Sequence, residues 1–432
     1  MGIIDPGRIP KEALDVLDRL TAAGYAACLV GGCVRDLASG RDPKDYDVAT
    51  SAPVAEVAAL FPRTVPTGLR HGTVTVLAGA LAVEVTTFRS EGAYRDHRRP
   101  SEVVFHDDRA LDLARRDFTC NAMAWTPEEG LVDLFGGRDD LRAGVLRTVG
   151  DPEDRFREDS LRMLRAVRFC CALDLAPVGE LVRACARNAG LLSHVSAERI
   201  AGECTRIFLS THPARLAGFD GSGVLEAAFG RVLPLRGETA GLAYGAYLAS
   251  ALERFGPSAE AGYALLLLHA AASGGLDARD AMASKQRLMA GHRLSARISG
   301  GAAALAFVAA SPTGAPGEEE TALRRTAARL ARVAGLDGAT ARLRLRDGVR
   351  LLHALPTGNA APGLADAAAS IARRADPVTS DELALSGSDL VALGHSAGPS
   401  LGRLRQRLLE AVIEDPRRNR REALQALLEG MV

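Results

Sequence analysis

The feature that most limits what this chain can fold into is a change of texture near Asp151. Upstream lie short apolar runs punctuated by glycine and acidic turns. Downstream the sequence is rich in Ala, Leu and Arg at helical spacing, as in Ser160–Leu173 and Val178–Asn188. Strand signals fall at Ala27–Val30, Tyr46–Thr50, Thr73–Leu77 and Leu81–Phe88, the last two joined by a glycine-containing turn that predicts a hairpin. Helical patterns at Lys11–Ala23, Val34–Ala38 and Pro53–Phe61 separate them, the last with proline in its first turn. Ser311–Gly317 and Pro356–Pro362 read as linkers, and Glu318, Glu319 and Glu320 as an acidic helix start. No repeat of fixed period is present. The expected fold class is α+β, a mixed head followed by a long all-helical remainder.

Charge sets a second limit. The 432 residues carry 53 basic and 53 acidic side chains, which argues against a uniformly basic nucleic-acid coat. The balance is uneven along the chain: 21 basic against 15 acidic residues from Lys285 onward, and 32 against 38 before it. Only Lys11, Lys44 and Lys285 are lysine, so 50 of the basic residues are arginine. A GC-rich genome produces that bias, but arginine is also the better partner for phosphates and base edges. Seven cysteines without a CxxC pair predict reduced, buried thiols in a cytoplasmic protein and no zinc site. The first residues lack the apolar core of a signal peptide. The longest charge-free stretch, 298–317, is broken by Gly-Gly and by prolines, so no membrane span is expected.

Chemistry concentrates in the head. Leu29-Val30-Gly31-Gly32 predicts a strand entering a helix through two glycines, where backbone N–H groups can approach an anion and Arg35 can add charge. Gly-Gly turns without any such role are common. In Asp45-Tyr46-Asp47, positions i and i+2 of a strand point to one face, so both carboxylates converge while Tyr46 faces away. Converging carboxylates suit a hard cation such as Mg²⁺, although a bare DxD is more often a solvated loop. Glu84, inside Leu81–Phe88, is either a third carboxylate, costly to bury alone, or a residue on the solvent face of an amphipathic strand. His71 reads as a structural turn histidine, and His106-Asp107-Asp108 lacks partner histidines for a phosphohydrolase site.

Together these motifs resemble the class II nucleotidyltransferases, the bacterial CCA-adding enzymes and their poly(A) polymerase relatives. The resemblance is carried by LVGGCVRD, DYDVAT, TGLRHGTVTV, VEVTTFR, YRDHRRP, RRDFTCNAMAW, DLFGGRDDL and EDSLRMLRAVRF, over about the first 210 residues. It implies a polymerase-β-like head at 1–150, a helical neck for base recognition at 151–215, a helical body at 216–320 and a body and tail that bind tRNA at 321–432. It also implies catalysis by Asp45, Asp47 and Glu84, with Mg²⁺ held by Asp45 and Asp47. Nucleotide binding would fall to Gly31, Gly32, Arg35, Arg116, Asp117, Asp159, Arg162, Arg165 and Arg168. Asp117 would accept from a ribose 2′-OH, with Asn121 a local helper or a cap.

Asp159 and Arg162 are i and i+3 neighbours on an expected neck helix. Taken alone they are an ordinary intrahelical ion pair; the resemblance makes them a protein template for the incoming base. An Asp acceptor suits the amino group of C or A, and an Arg donor suits ring acceptors. Uracil mismatches both contacts, and at roughly 1–3 kcal/mol each that discriminates by about 30- to 10⁴-fold. Tyr94–Pro100 resembles the flexible-loop motif of CCA- and A-adding members, a resemblance that disfavours CC-only addition, and the pattern at 385–419 is similar to the tails of CCA-adding enzymes. The implied function is template-independent addition of CCA to tRNA 3′ ends from CTP and ATP, with no membrane and no protein partner. A-only addition, poly(A) synthesis, small-molecule nucleotidyl transfer and non-catalytic RNA binding are the alternatives.

Overall fold

The structure, a computed structural model, describes residues 4–68, 72–91, 94–95, 99–100, 103–230, 243–272, 277–311, 318–356, 360–361 and 363–430. His71, 312–317 and most of 357–362 lie outside the described residues. Contacts divide the chain into two compact units, Met1–Glu203 with Gly218–Ala228, and Cys204–Ala217 with Phe229–Val432. The expected head and most of the expected neck therefore share the first unit.

In the first unit, helix α1 (Lys11–Ala22) leads to strand β1 (Ala27–Val30), α2 (Gly32–Ala38), β2 (Tyr46–Thr50) and α3 (Val54–Leu60). Strands β3 (Thr64–Gly68), β4 (Thr73–Ala78) and β5 (Leu81–Thr87) follow. Two small pairs come next: β6 (Arg89–Glu91) with β9 (Val103–Phe105), and β7 (Tyr94–Arg95) with β8 (Arg99–Pro100). Helix α4 (Arg109–Ala114) then leads through a 3-10 turn, Thr119–Asn121, to β10 (Met123–Thr126), β11 (Gly130–Asp133) and α5 (Gly137–Ala143). The seven-stranded sheet has the order β11-β10-β1-β2-β5-β4-β3, and within it only β2–β5 is parallel.

The two faces of this sheet differ. Tyr46, Val48, Val83 and Val85 are buried on one of them. The other buries Cys28, Val30, Ala49 and Phe88 against Leu113 and Ala124, but turns polar where Asp47 and Glu84 sit side by side. Alternation with period two predicts this division.

Three strands of the seven-stranded sheet went unsignalled by the sequence: β3, β10 and β11. Every residue of β10 is buried, so its sequence shows no alternation. A strand pair also crosses the expected boundary near Asp151, where β12 (Val145–Leu146) pairs in parallel with β13 (Ala176–Pro177). The helices of the neck are α6 (Pro152–Glu158), α7 (Leu161–Leu173), α8 (Gly179–Asn188) and α9 (Ala197–Phe208), and α10 (Val224–Phe229) returns near the unit's end.

The second unit is helical among its described residues: α11 (Tyr244–Phe255), α12 (Ala259–Ala272), α13 (Ala281–His292), α14 (Ala296–Ala309), α15 (Glu319–Ala334), α16 (Gly338–Ala354) and α17 (Leu364–Arg374). It ends in α18 (Gly387–Ala392), α19 (Pro399–Glu414) and α20 (Arg421–Glu429). The acidic helix start is realised at α15, with Glu319 and Glu320 in the first turn. One core joins α14 to α17 through Phe307, Leu330, Leu345 and Ile371. A second joins the last helices through Leu390, Leu408, Val412 and Leu424. Arg324, only 4% exposed, donates to the Ile413 carbonyl and pairs with Asp376, so its burial is compensated. No helix among the described residues is long and apolar enough to cross a membrane.

Candidate active site

Strand register places the first carboxylates. Asp47 lies opposite Val30 of β1 on one side and Glu84 of β5 on the other. Asp45 is exposed, one residue ahead of β2, while Tyr46 between the two aspartates is buried toward the opposite face. Glu84 is exposed between buried Val83 and Val85, on the open face of an amphipathic strand rather than buried within it. Its place beside Asp47, rather than any cost of burial, is what marks it. Burial and the nearby charge of Glu84, with a smaller contribution from Asp45, push the Asp47 carboxyl up to about 6 despite Arg116. Two or three carboxylates that repel one another are short of a cation.

Backbone geometry opens the floor of this region. Gly31 caps α2 at φ +74°, and a Cβ there would lie 2.9 Å from Nη1 of Arg116 and 3.9 Å from Oδ2 of Asp47. Only glycine combines that conformation with that clearance. Arg35, one turn into α2, pairs with Asp36 at 2.9 Å and donates to the Asn121 side chain at 2.8 Å.

The 115–121 segment holds a denser network. Asp112, 1% exposed, receives both Arg115 at 2.7 Å and Arg116 at 3.2 Å. Burial opposes its ionisation, but the two arginines hold it below the ordinary carboxylate range. Asp117 accepts four hydrogen bonds: two from Arg165 at 2.8 and 2.6 Å, one from Asn121 at 3.1 Å and one from the Phe118 amide at 2.9 Å. Against the effect of burial, Arg165 and Asn121 pull its carboxyl down to about 2. The ribose contact expected of Asp117 would have to compete with those four donors, since in this structure its carboxylate anchors Arg165.

The neck departs from the expected continuous helix. Asp159, at φ −135°, ends α6, and α7 begins two residues later. Its carboxylate accepts from the Leu161 amide at 3.1 Å and pairs with Arg199 of α9 at 2.8 Å. The intrahelical ion pair of Asp159 with Arg162 is therefore not formed. Arg162 instead donates to the backbone carbonyls of Arg115 and Arg116 at 3.2 and 3.3 Å, and lies 3.5 Å from Glu158. Arg168 pairs with Glu203 of α9 at 2.7 Å. Arg199 and Glu203 escaped sequence reasoning because their partners lie some 35 to 40 positions away.

One cleft of about 590 Å³ gathers these groups. Gly31, Gly32, Arg35, Asp47, Glu84, Arg116 and Asp117 line it from the head, and Asp159, Arg162, Arg165, Arg168 and Arg199 from the neck. Asp45 stands at the edge of β2, outside that lining. The cleft has room for a nucleotide, carboxylates at one end and arginines along the walls. Among the described residues no three His, Cys, Asp or Glu side chains form a ready-made metal cage. Asp45 and Asp47 nevertheless offer hard oxygen donors and the mutual repulsion that a divalent cation relieves, so the donor set fits such an ion. A cation there would draw its remaining ligands from water and phosphate.

Residues 27–147 match the model of the poly A polymerase head domain, and 179–229 match a model described as the probable RNA and SrmB-binding site of polymerase A. Among curated proteins, the chain is 44% identical over 230 residues to the CCA-adding enzyme of Lactiplantibacillus plantarum, covering 52% of this chain and 56% of that protein. It is 46% identical over 205 residues to the CCA-adding enzyme of Geobacillus stearothermophilus, covering 48% and 51%. The chain thus spans about half the length of the curated relatives it matches. Among solved structures it is similar to the Bacillus stearothermophilus CCA-adding enzyme in complex with CTP, with TM-score 0.72, 29% identity and coverage of 97% and 96%. It also shares its fold with the Thermotoga maritima CCA-adding enzyme complexed with tRNA, at TM-score 0.65, 20% identity and full coverage of both chains.

Proposed function

We propose that this chain is a member of the tRNA nucleotidyltransferase/poly(A) polymerase family, a reading supported by its matches to the poly A polymerase head and to CCA-adding enzymes, and that it adds C, C and A to the 3′ ends of immature tRNA from CTP and ATP. The observation that carries the reading is the sharing of one cleft by the Asp47–Glu84 pair and the Asp159–Arg199 and Arg162 constellation. The first is suited to nucleotidyl transfer and the second to reading a base. The likeness over most of the chain to an enzyme solved with CTP supports it.

Enzymes of this family use divalent metal ions. In this chain Asp45 and Asp47, with Glu84 beside them, would hold that ion, as Mg²⁺. When bound, it lowers the pKa of the attacking hydroxyl and offsets charge on the triphosphate. The RNA 3′-hydroxyl attacks the α-phosphorus in line, its bond to the pyrophosphate oxygen breaks, and pyrophosphate leaves. Asp47, ionised, faces the reacting phosphate. Arg116, beside Gly31, meets the triphosphate, and Gly31 and Gly32 let backbone approach it. Asp159, fixed by Arg199, accepts from the amino group of C or A, while Arg162 donates to the base ring. Arg165 and Arg168 brace that surface, and the second unit grips the RNA. The reaction takes place in the cytoplasm.

The test offers tRNAs ending before CCA, after C and after CC, with CTP, ATP or both, and sequences the products. Ordered C, C, A addition is expected. Addition of A alone, and only to the CC-ended substrate, would overturn the full assignment in favour of an A-adding enzyme.

A further inference from the structure

Phe169, on α7, is 7% exposed and contributes to the cleft wall. Three guanidiniums gather around its ring, with Arg168 4.2 Å, Arg165 5.4 Å and Arg35 5.6 Å from the centroid. Each has its own carboxylate: Glu203 of α9 for Arg168, Asp117 for Arg165 and Asp36 of α2 for Arg35. Those three acids lie on three separate segments; α7 itself spaces Arg165 from Arg168, and Asn121, which accepts from Arg35 and donates to Asp117, is one polar link from Arg35 to that pair. Among the described residues, the Phe169 ring is a direct neighbour of all three guanidiniums. Cations this close repel, and an aromatic face attracts them most when water is excluded. Phe118 meets the ring edge-on at 5.5 Å and fixes its orientation.

We infer that Phe169 is a positioning residue for the nucleotide site, its ring holding Arg35, Arg165 and Arg168 as one cationic wall against the bound nucleotide. The inference rests on the nucleotidyl-transfer reading above and deepens it. Arg35 comes from the head and the other two from the neck, so the ring aligns two elements that must meet one ligand. Leucine and methionine approximate its bulk without its quadrupole, whereas tyrosine keeps the aromatic face.

The experiment measures KM and kcat for CTP and ATP in single-nucleotide addition by the full chain, as wild type, Phe169→Leu, Phe169→Met and Phe169→Tyr, with melting temperatures alongside. The aliphatic variants should raise both nucleotide KM values about 10-fold, roughly the loss of one desolvated cation–π contact. Their kcat should stay within about threefold. Phe169→Tyr should stay within about twofold in KM, a rescue that a filled-volume role would not require. The methionine variant carries the test should the leucine variant fold poorly. Unmoved KM values in a folded aliphatic variant, or a tyrosine variant as impaired as leucine, would overturn the positioning role alone. Absence of any addition by wild type would instead overturn the transfer reading, and the positioning role with it.

Discussion

Asp47 sits where its charge is resisted, and this has a measurable sign. Its carboxyl is raised from 3.8 to about 6, first by burial and then by Glu84 and Asp45. The folded state therefore prefers the neutral form. The stabilisation is fully present below pH ~4 and is lost as pH rises through about 6. Asp47→Asn, neutral throughout, should melt above wild type at pH 8 in metal-free buffer, by on the order of 2 kcal/mol, and match it near pH 4. Magnesium should raise the melting temperature of wild type at pH 8 and leave the Asn variant nearly unmoved, although that variant transfers no nucleotide. Equal wild-type and variant melting at both pH values would show that Asp47 is not strained. The same scale holds the selectivity test. Asp159→Ala should admit UTP, and Arg199→Met should do so by roughly 10-fold relative to wild type, because Asp159 loses the partner that aims it. Undiminished UTP exclusion in both variants, measured as misincorporation into CC-ended tRNA, would remove the base-reading role.

Elements show which parts of the fold were legible beforehand and which were not. Strands β2 and β5 could be read to within a residue, because one face of each is apolar and the other carries the carboxylates. Buried β10 offers no such contrast, and β13 is only two residues long. The neck misled differently. Spacing put Asp159 and Arg162 on one helix, yet Asp159-Ser160 ahead of Leu161 is itself a helix-start pattern, and the Asp159 carboxylate accepts the Leu161 amide. Read that way, the break was visible; its pairing with Arg199 was not, because a contact across 40 positions leaves no local pattern. Helix packing in the second unit is legible only from coordinates. Gly348 of α16 faces α14 so closely that a Cβ there would lie 2.4 Å from Cβ of Val308. Gly348→Ala should therefore destabilise that unit by about 1–3 kcal/mol through overpacking. The urea midpoint should drop while the KM for CTP stays put; an unchanged midpoint would mean the two helices yield without cost.

Across the whole molecule, neutral net charge conceals how many arginines are already matched with acids. Of the 21 basic residues from Lys285 onward, ten arginines, Arg324 and Arg421 among them, pair with acids such as Asp376 and Asp389. Those ten contribute little net field, so RNA should sense the surplus of basic over acidic residues rather than the total. With about six phosphates neutralised, the logarithm of RNA affinity should fall against the logarithm of salt with a slope near −4 to −6. Fluorescence anisotropy of labelled tRNA between 50 and 200 mM salt reads this slope directly; one steeper than about −10 would mean that the internal pairs open onto the RNA. The chain's path lets the same measurement be divided. The first unit needs Gly218–Ala228, which buries Phe219, Val224 and Leu225, so a fragment ending at Glu203 should melt early. A fragment ending at Ala228 retains that segment. It should bind CTP within about threefold of the full chain, because every residue lining the cleft lies before Ala228, but lose most of its salt-sensitive affinity for tRNA. Full tRNA affinity in that fragment would move the RNA grip from the second unit to the first, and with it the meaning of the charge split.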